Sequence, residues 1–434
     1  MRGLPGLLDG EGPSRLGPHP PQSRRCRATA GTSLRILYLN HNTAGVGTWQ
    51  RASNLGRALA ARGHQVTLVT THPRRRVGFE TVVQGAYTEI LAPDLLPGAA
   101  RTGWDPSNAA RRIHFLRGRT YDLVHAFDSR PVVILPALWV SRRSGAPLFL
   151  DWADWWGRGG RIQERSGWLV RTLFGPVETW FEEAFRTKAD GTTTISRALA
   201  ERAQTLGVPA NLIWTFPNGC DPDGVRPGDR DQARRALDIP PGVPLVVHVG
   251  VLTPPDMAQL SEVFRQVEAE EPGARLVLVG NHKAPLPPSL GSNGVVRTVG
   301  FVPSQTLGLW LSAADVCVVP LVDTPNNRGR WPGRINDYLA AGRATVLPAV
   351  GDAAILIERH GAGWTCPPNT EAMARTLLRA LRNPEARRRA GERARELAQG
   401  ELAWSVLAER LEAAYNAVLA RRRSPAGPTD TRRG

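Results

Sequence analysis

Leu34-Arg35-Ile36-Leu37-Tyr38-Leu39, then Ala44-Gly45-Val46-Gly47-Thr48, then Trp49 to Arg62 closed by Gly63, then Val66 to Val69: this opening stretch decides the fold. A short apolar run bounded by polar residues reads as a buried strand. Leu55, Leu59 and Ala60 recur at helical spacing, and Gly63 stands where a helix C-terminus favours glycine. Strand, glycine turn, helix, strand is the unit of a parallel α/β sheet. The unit continues outward. Asp122 to His125 and Leu148 to Leu150 read as strands, and Pro131 to Val140 as a buried helix. Thr192 to Ile195 is another strand, with Ser196 as the N-cap of the helix that follows.

Phe216-Pro217-Asn218-Gly219-Cys220-Asp221-Pro222-Asp223-Gly224 is dense in turn residues and reads as an interdomain connection. Alternation then restarts. Strands are expected at 243–251, 274–279, 295–299, 316–319 and 344–347, and helices at 258–271, 371–381 and 384–398. A last helix, 402–420, carries Trp404, Leu407, Leu411, Tyr415 and Val418 at helical spacing. The expected organisation is a basic disordered tail at 1–33, one Rossmann-like domain at 34–222, a second at 223–401, the closing helix 402–420, and a basic disordered tail at 421–434. Two such domains face each other across a cleft, and ligands sit at strand C-terminal ends.

The chain has 434 residues, 41% hydrophobic and 22% charged, which suits a globular protein of two or three domains. No apolar run reaches the length of a membrane span, and the N-terminus lacks the apolar region of a secretory signal. Cys26, Cys220, Cys317 and Cys366 are scattered, which argues against structural zinc and fits a reducing compartment. Net charge is +16, with only Lys188 and Lys283 as lysines. That balance favours an anionic partner: a sugar nucleotide, a phospholipid surface or nucleic acid. No RNA- or DNA-binding motif accompanies the charge. The second strand ends Val69-Thr70-Thr71-His72 without the acid a dinucleotide site wants, which counts against an NAD enzyme.

A second stretch carries chemistry: Asn327-Arg328-Gly329-Arg330-Trp331-Pro332-Gly333-Arg334-Ile335-Asn336-Asp337. Pro332 suits a first helical position. Arginines at the positive end of a helix dipole are mildly unfavourable unless an anion is present, and phosphate is the usual one. The bland alternative is a solvated arginine cluster.

In order and spacing, several segments resemble the GT-B glycosyltransferases, specifically the retaining family 4 enzymes. They are Ala44 to Thr48 with the helix to Val66, Tyr121 to Ala126, Thr193 to Leu199, Pro217 to Asp221, Val279-Gly280, Asn336 to Gly342, and the helix with Trp404. The resemblance covers about 34–420. It implies an α/β fold of two Rossmann-like domains, with the C-terminal helix packing back toward the first. It implies transfer of a sugar from a UDP- or GDP-sugar, a co-substrate rather than a cofactor, to a glycan or lipid-linked acceptor. No metal is required, the setting is cytoplasmic, and peripheral contact with an anionic membrane is compatible. The alternative is a catalytically impaired binding subunit of a glycan-assembly system.

The resemblance carries over residue by residue. Gly45 and Gly47 would approach the donor phosphate, and Gly280 ends a donor-side strand. Asp337 stands where a ribose-binding Glu is common, and Gly329 where relatives keep a second Glu. Asn326, Asn327 or Asp323 would hold sugar hydroxyls instead. Relatives place an Arg and a Lys after the first strand of the second domain; here the sequence is Gly250-Val251-Leu252-Thr253-Pro254-Pro255-Asp256, and Arg330 and Arg334 would take over. His125 and Asp128 are catalytic candidates at a strand end facing the cleft, although Phe127 occupies the place of the family's usual histidine. Asp151 and Asp154, among Trp152, Trp155 and Trp156, read either as a sugar platform with Asp154 catalytic, or as packed indoles. Trp168 to Phe174 with Trp180 and Phe181 would lie on a bilayer or belong to the core.

Overall fold

A computed structural model describes residues 33–74, 77–94, 103–164, 167–282, 285–286 and 294–423. The tail readings for 1–32 and 424–434, with Cys26, lie outside the described residues. In the first lobe the elements are β1 (Arg35–Thr43), α1 (Thr48–Ala61), β2 (Gln65–Thr71), β3 (Glu80–Gln84), β4 (Tyr87–Ala92), α2 (Pro106–Phe115), β5 (Leu123–Phe127), α3 (Pro131–Ser144), β6 (Leu148–Trp152), α4 (Gly175–Glu183), β7 (Gly191–Thr194), α5 (Arg197–Thr205) and β8 (Ile213–Thr215). Its sheet runs β3-β4-β2-β1-β5-β6-β7-β8, parallel except for the β3–β4 hairpin.

The second lobe holds α6 (Arg230–Ala236), β9 (Leu245–Val249), α7 (Pro254–Glu270), β10 (Arg275–Val279), β11 (Val296–Val299), α8 (Ser304–Ala313), β12 (Val316–Val318), α9 (Pro325–Gly329), α10 (Arg334–Ala340), β13 (Thr345–Pro348), α11 (Gly351–His360), β14 (Gly363–Cys366), α12 (Thr370–Leu381) and α13 (Pro384–Gln399). Its sheet runs β11-β10-β9-β12-β13-β14, all parallel. In both sheets the order reverses beside the first strand, at β1/β5 and β9/β12. Crevices open at such switch points, outside the strand C-termini.

The last helix, α14 (Trp404–Arg423), packs back on the first lobe, where Leu407, Leu411, Tyr415 and Val418 join Ile36, Tyr38, Leu55 and Leu59 in one core. It runs to Arg423, so the expected tail from 421 is corrected. Arg422 binds the Asp190 carboxylate and the Gly145 carbonyl, which extends the helix by three residues. The connection and the return crossing touch: Cys220 N–H donates to Leu402 O.

A buried polar chain ties these parts together. Arg51 on α1 pairs with Asp151 on β6 at 3.0 Å, both nearly fully buried, and also donates to Pro217 O in the connection. Asp151 accepts from Thr193, Thr193 meets His125 Nε2 at 3.1 Å, and His125 Nδ1 meets the Tyr415 hydroxyl at 2.6 Å. Tyr415 meets Tyr38 at 2.9 Å. A buried ion pair with one member removed leaves an uncompensated charge. Asp151→Ala is expected to destabilise the protein by about 3–5 kcal/mol in urea unfolding; a change under 1 kcal/mol would remove the pair from its structural role.

Candidate functional site

The arginine stretch folds differently from the sequence reading. The helix does not open at Pro332. Thr324 caps the short α9 by accepting from Asn327 N–H, and Arg330 is extended, before α10 opens at Arg334. Trp331, before Pro332, is kept out of helical geometry, which separates α9 from α10; Pro332 and Gly333 form a tighter turn, with Ile335 N–H donating to Pro332 O and Asn336 N–H to Gly333 O, each at 3.1 Å, and Trp331 is buried with its indole bonded to Asn336. The three arginines therefore separate. Arg328 is exposed and paired with Asp323 at 2.6 Å, so Asp323 is not free for a ligand. Arg330 and Arg334 turn inward.

Arg330 sits between the lobes. Its closest acid is Asp256 at 3.9 Å, it lies in the field of Asp154 from the other lobe, and its Nε is buried without a hydrogen bond. Arg334 lies over the end of β9, donating to Val251 O at 3.1 Å and to His248 Nε2 at 2.7 Å. Its guanidinium fills the space above Gly250, where a Cβ would come within 3.2 Å of it. Gly280 ends β10 beside the same turn, and a Cβ there would approach Gly250 O at 3.0 Å.

The facing wall comes from the first lobe. Asp128 follows β5 with φ 92, a left-handed conformation costly for a non-glycine residue. Burial acts to raise its carboxyl, but the Arg130 charge and the Ser129 N–H, joined by His41 only when that ring is protonated, hold it below the usual range. His41 Nδ1 is 3.3 Å from Asp128, and burial pushes this imidazole down to about 4, so it is neutral near pH 7. Asp154, after β6, is half-buried and makes no hydrogen bond among the described residues. Burial raises it to about 6, against the pull of Arg161 and with a push from Asp128. Asp128, Asp154, Arg330 and Arg334 thus gather at one gap.

Other expectations change. His125 does not face the cleft: it lies in mid-strand, fully buried, bonded to Tyr415 and Thr193, with burial holding it down at about 3. Asp151 is consumed by Arg51, and Trp152 is buried beneath Arg186 with its indole on Glu182, so the paired-acid platform reduces to Asp154 with Trp155 and Trp156. Asn327 donates to Val322 O, and Asn326 to Glu164 across the lobes. Gly45 and Gly47 form the exposed turn into α1, and both have positive φ. Asp337 is half-buried near Asp221 in the connection. Burial and that second carboxylate raise it to about 6.

Gly329 has a visible reason: its Cβ would sit 3.2 Å from the Trp155 ring. The indole packs closely on that face of Gly329, and Ser196 Oγ binds Gly329 O at 2.8 Å. Residues 168–180 expose Trp168 (66%), Leu173 (69%) and Trp180 (56%), whereas Phe174 and Phe181 pack on Trp104. Among the described residues no helix is long and apolar enough to cross a membrane. Sequence reading missed His41, His248 and His282; a histidine inside the apolar strand Leu245–Val249 was the available signal.

Raised carboxyls have a definite sign. The folded state of Asp154 and Asp337 holds protons that the unfolded chain releases near pH 4, so stability falls as pH rises from about 4 to about 6. Thermal melts should show that decline in the wild type and a flatter profile in Asp154→Asn/Asp337→Asn; superimposable profiles would contradict these protonation states.

The fold and sequence match known proteins. Residues 46–219 match the family described as glycosyl transferase 4-like domain, and 243–383 match glycosyl transferases group 1. A D-inositol 3-phosphate glycosyltransferase 2 of Catenulispora acidiphila is 31% identical over 138 residues, 28% of this chain and 32% of that protein. The chain therefore spans about a third of the length of that curated relative. Sucrose-phosphate synthase of Thermosynechococcus elongatus superposes with TM-score 0.69 at 19% identity, covering 89% of this chain and 99% of that one. Anabaena HepE in complex with UDP-glucose superposes with TM-score 0.61 at 15% identity, covering 88% and 100%. With one lobe matching each family and both sheets in Rossmann order, the chain belongs to the family 4-like glycosyltransferases of the GT-B fold.

Proposed function

We propose that the chain is a retaining glycosyltransferase that moves a sugar from a UDP- or GDP-sugar to a glycan or lipid-linked acceptor, without a metal or resident cofactor. One observation carries the reading. Arg330 and Arg334, the second bonded only to neutral acceptors, stand at the strand ends of the second lobe facing Asp128 and Asp154. The departing nucleoside diphosphate gains negative charge as the sugar bond breaks, and fixed guanidiniums stabilise that charge without reorganising. HepE, of the same fold, binds UDP-glucose.

Across the gap, Asp154 has the proton affinity to take up or share the acceptor hydroxyl proton near neutrality. Asp128, held ionised, would orient hydroxyls or steady the positive character of the sugar. Attack from the leaving-group face keeps the anomeric configuration, and no protein nucleophile is assigned. Gly45 and Gly47 offer backbone at the mouth, and Asp337 would take the ribose. The buried thiols Cys220, Cys317 and Cys366 are compatible with a cytoplasmic setting. Trp168, Leu169, Leu173 and Trp180, beside Arg158 and Arg171, would touch an anionic bilayer carrying the acceptor.

A second reading, a binding subunit without turnover, is favoured by Gly329 standing where relatives keep the second acid, with Trp155 packed closely over it. Hydrolysis of a panel of UDP- and GDP-sugars separates the two: turnover supports the enzyme, and binding without turnover supports the subunit. Arg330→Ala/Arg334→Ala should weaken nucleotide binding by about a hundredfold or more; undiminished binding in calorimetry would overturn the donor site. Sedimentation with vesicles of anionic lipid should retain the wild type and release Trp168→Ser/Leu173→Ser/Trp180→Ser; equal retention would refute the membrane face.

A further inference from the structure

β9 reads Leu245-Val246-Val247-His248-Val249, with a single polar side chain in a buried apolar strand. His248 is fully buried, so it needs partners for both ring nitrogens. Nδ1 lies 2.9 Å from Val318 O on the adjacent strand, and Nε2 lies 2.7 Å from Arg334 Nη1. These two contacts fix the tautomer. A guanidinium only donates and a carbonyl only accepts, so Nε2 is the lone-pair acceptor and Nδ1 carries the proton. Burial, and then the Arg334 charge, hold the ring neutral.

The partner choice matters because a guanidinium can be held by a carboxylate or by a neutral acceptor. Arg51, Arg234 and Arg328 are held by carboxylates, which cancel their charge. Arg334 forms no ion pair among the described residues; its partners are His248 and the Val251 carbonyl. It is thus fixed in place with its charge intact.

We infer that His248 is a positioning residue that presents the uncancelled charge of Arg334 to the donor diphosphate. The inference rests on the nucleotide-sugar reading above and adds to it how this chain works without the Arg and Lys that relatives place after the strand. The strand itself supplies the holder, and α10 supplies the cation. Packing alone does not explain the arrangement, since an apolar residue at 248 would fill the strand and leave Arg334 free to swing toward Asp256.

Calorimetry of the full chain with UDP and with GDP tests it. His248→Gln, which can keep a neutral acceptor near Arg334, should bind within about threefold of wild type. His248→Glu keeps Arg334 in place but cancels its charge, and should lose about a hundredfold. Equal affinity of the Gln and Glu variants overturns the role of His248. A merely structural His248 would lower Tm and the bound fraction while leaving Kd of the folded protein unmoved. Should His248→Glu not fold, His248→Asn, too short to reach Arg334, takes its place and must weaken binding. Wild type that binds neither nucleotide sinks the nucleotide-sugar reading itself, whereas binding that ignores His248 sinks only this inference.

Discussion

The ion pair between Arg51 and Asp151 is the contact on which the arrangement of the first lobe rests. It lies where α1, β6 and the connection at Pro217 converge. Desolvating two charges is costly, and the cost is tolerable here because the remaining donors and acceptors are used: Thr193 on the carboxylate, Pro217 O on the guanidinium. From Thr193 the chain of hydrogen bonds runs through His125 to Tyr415 and Tyr38. The sheet, the connection and the returning helix are therefore fixed by one set of directional contacts, and hydrophobic burial by α14 fills in around it.

That frame presents loops at the C-terminal ends of both sheets, and charge on those loops is unevenly satisfied. Arg328 is neutralised, whereas Arg330 and Arg334 are not. On the opposite wall, Asp128 and Asp154 differ because their surroundings differ: Arg130 and the Ser129 N–H favour the charged form of the first, while burial favours the neutral form of the second. Groups pushed apart in this way are what proton transfer and charge stabilisation each require. The lobes also touch directly through Ser196 on Gly329, Asn326 on Glu164 and Arg197 on Asp352 at 3.2 Å, so the short turn Pro325–Gly329 is both site wall and interlobe contact.

Much of this was legible in the sequence, for identifiable reasons. Buried parallel strands are continuous apolar runs, so most of them were found, as were Gly63 after α1 and the Ser196 cap. The hairpin β3–β4, β8 and β14 were missed: β3 is exposed at the sheet edge, the buried β4 carries Thr88 and Glu89 within its short run, and the others are short and only half-buried. Strand 243–251 shortened to Leu245–Val249, with Pro244 before it and the left-handed Gly250 after it. Site errors had one source. Sequence shows which side chains could bind a ligand but not which are already occupied, and His125, Asp151, Asp323 and Asn327 are occupied by partners distant in the chain or close by. Arg330, Arg334 and Asp154 survived because nothing nearby claims them fully.

The scarcity of lysine has an electrical consequence. Arg130, Arg161, Arg330 and Arg334 supply the described cations of the gap, and guanidinium does not release its proton in any ordinary buffer. Its histidines, His41, His248 and His282, are held neutral rather than acting as reserve positive charge. The gap thus behaves like a capacitor with one plate permanently charged. Acidification first discharges the opposite plate, beginning at Asp154.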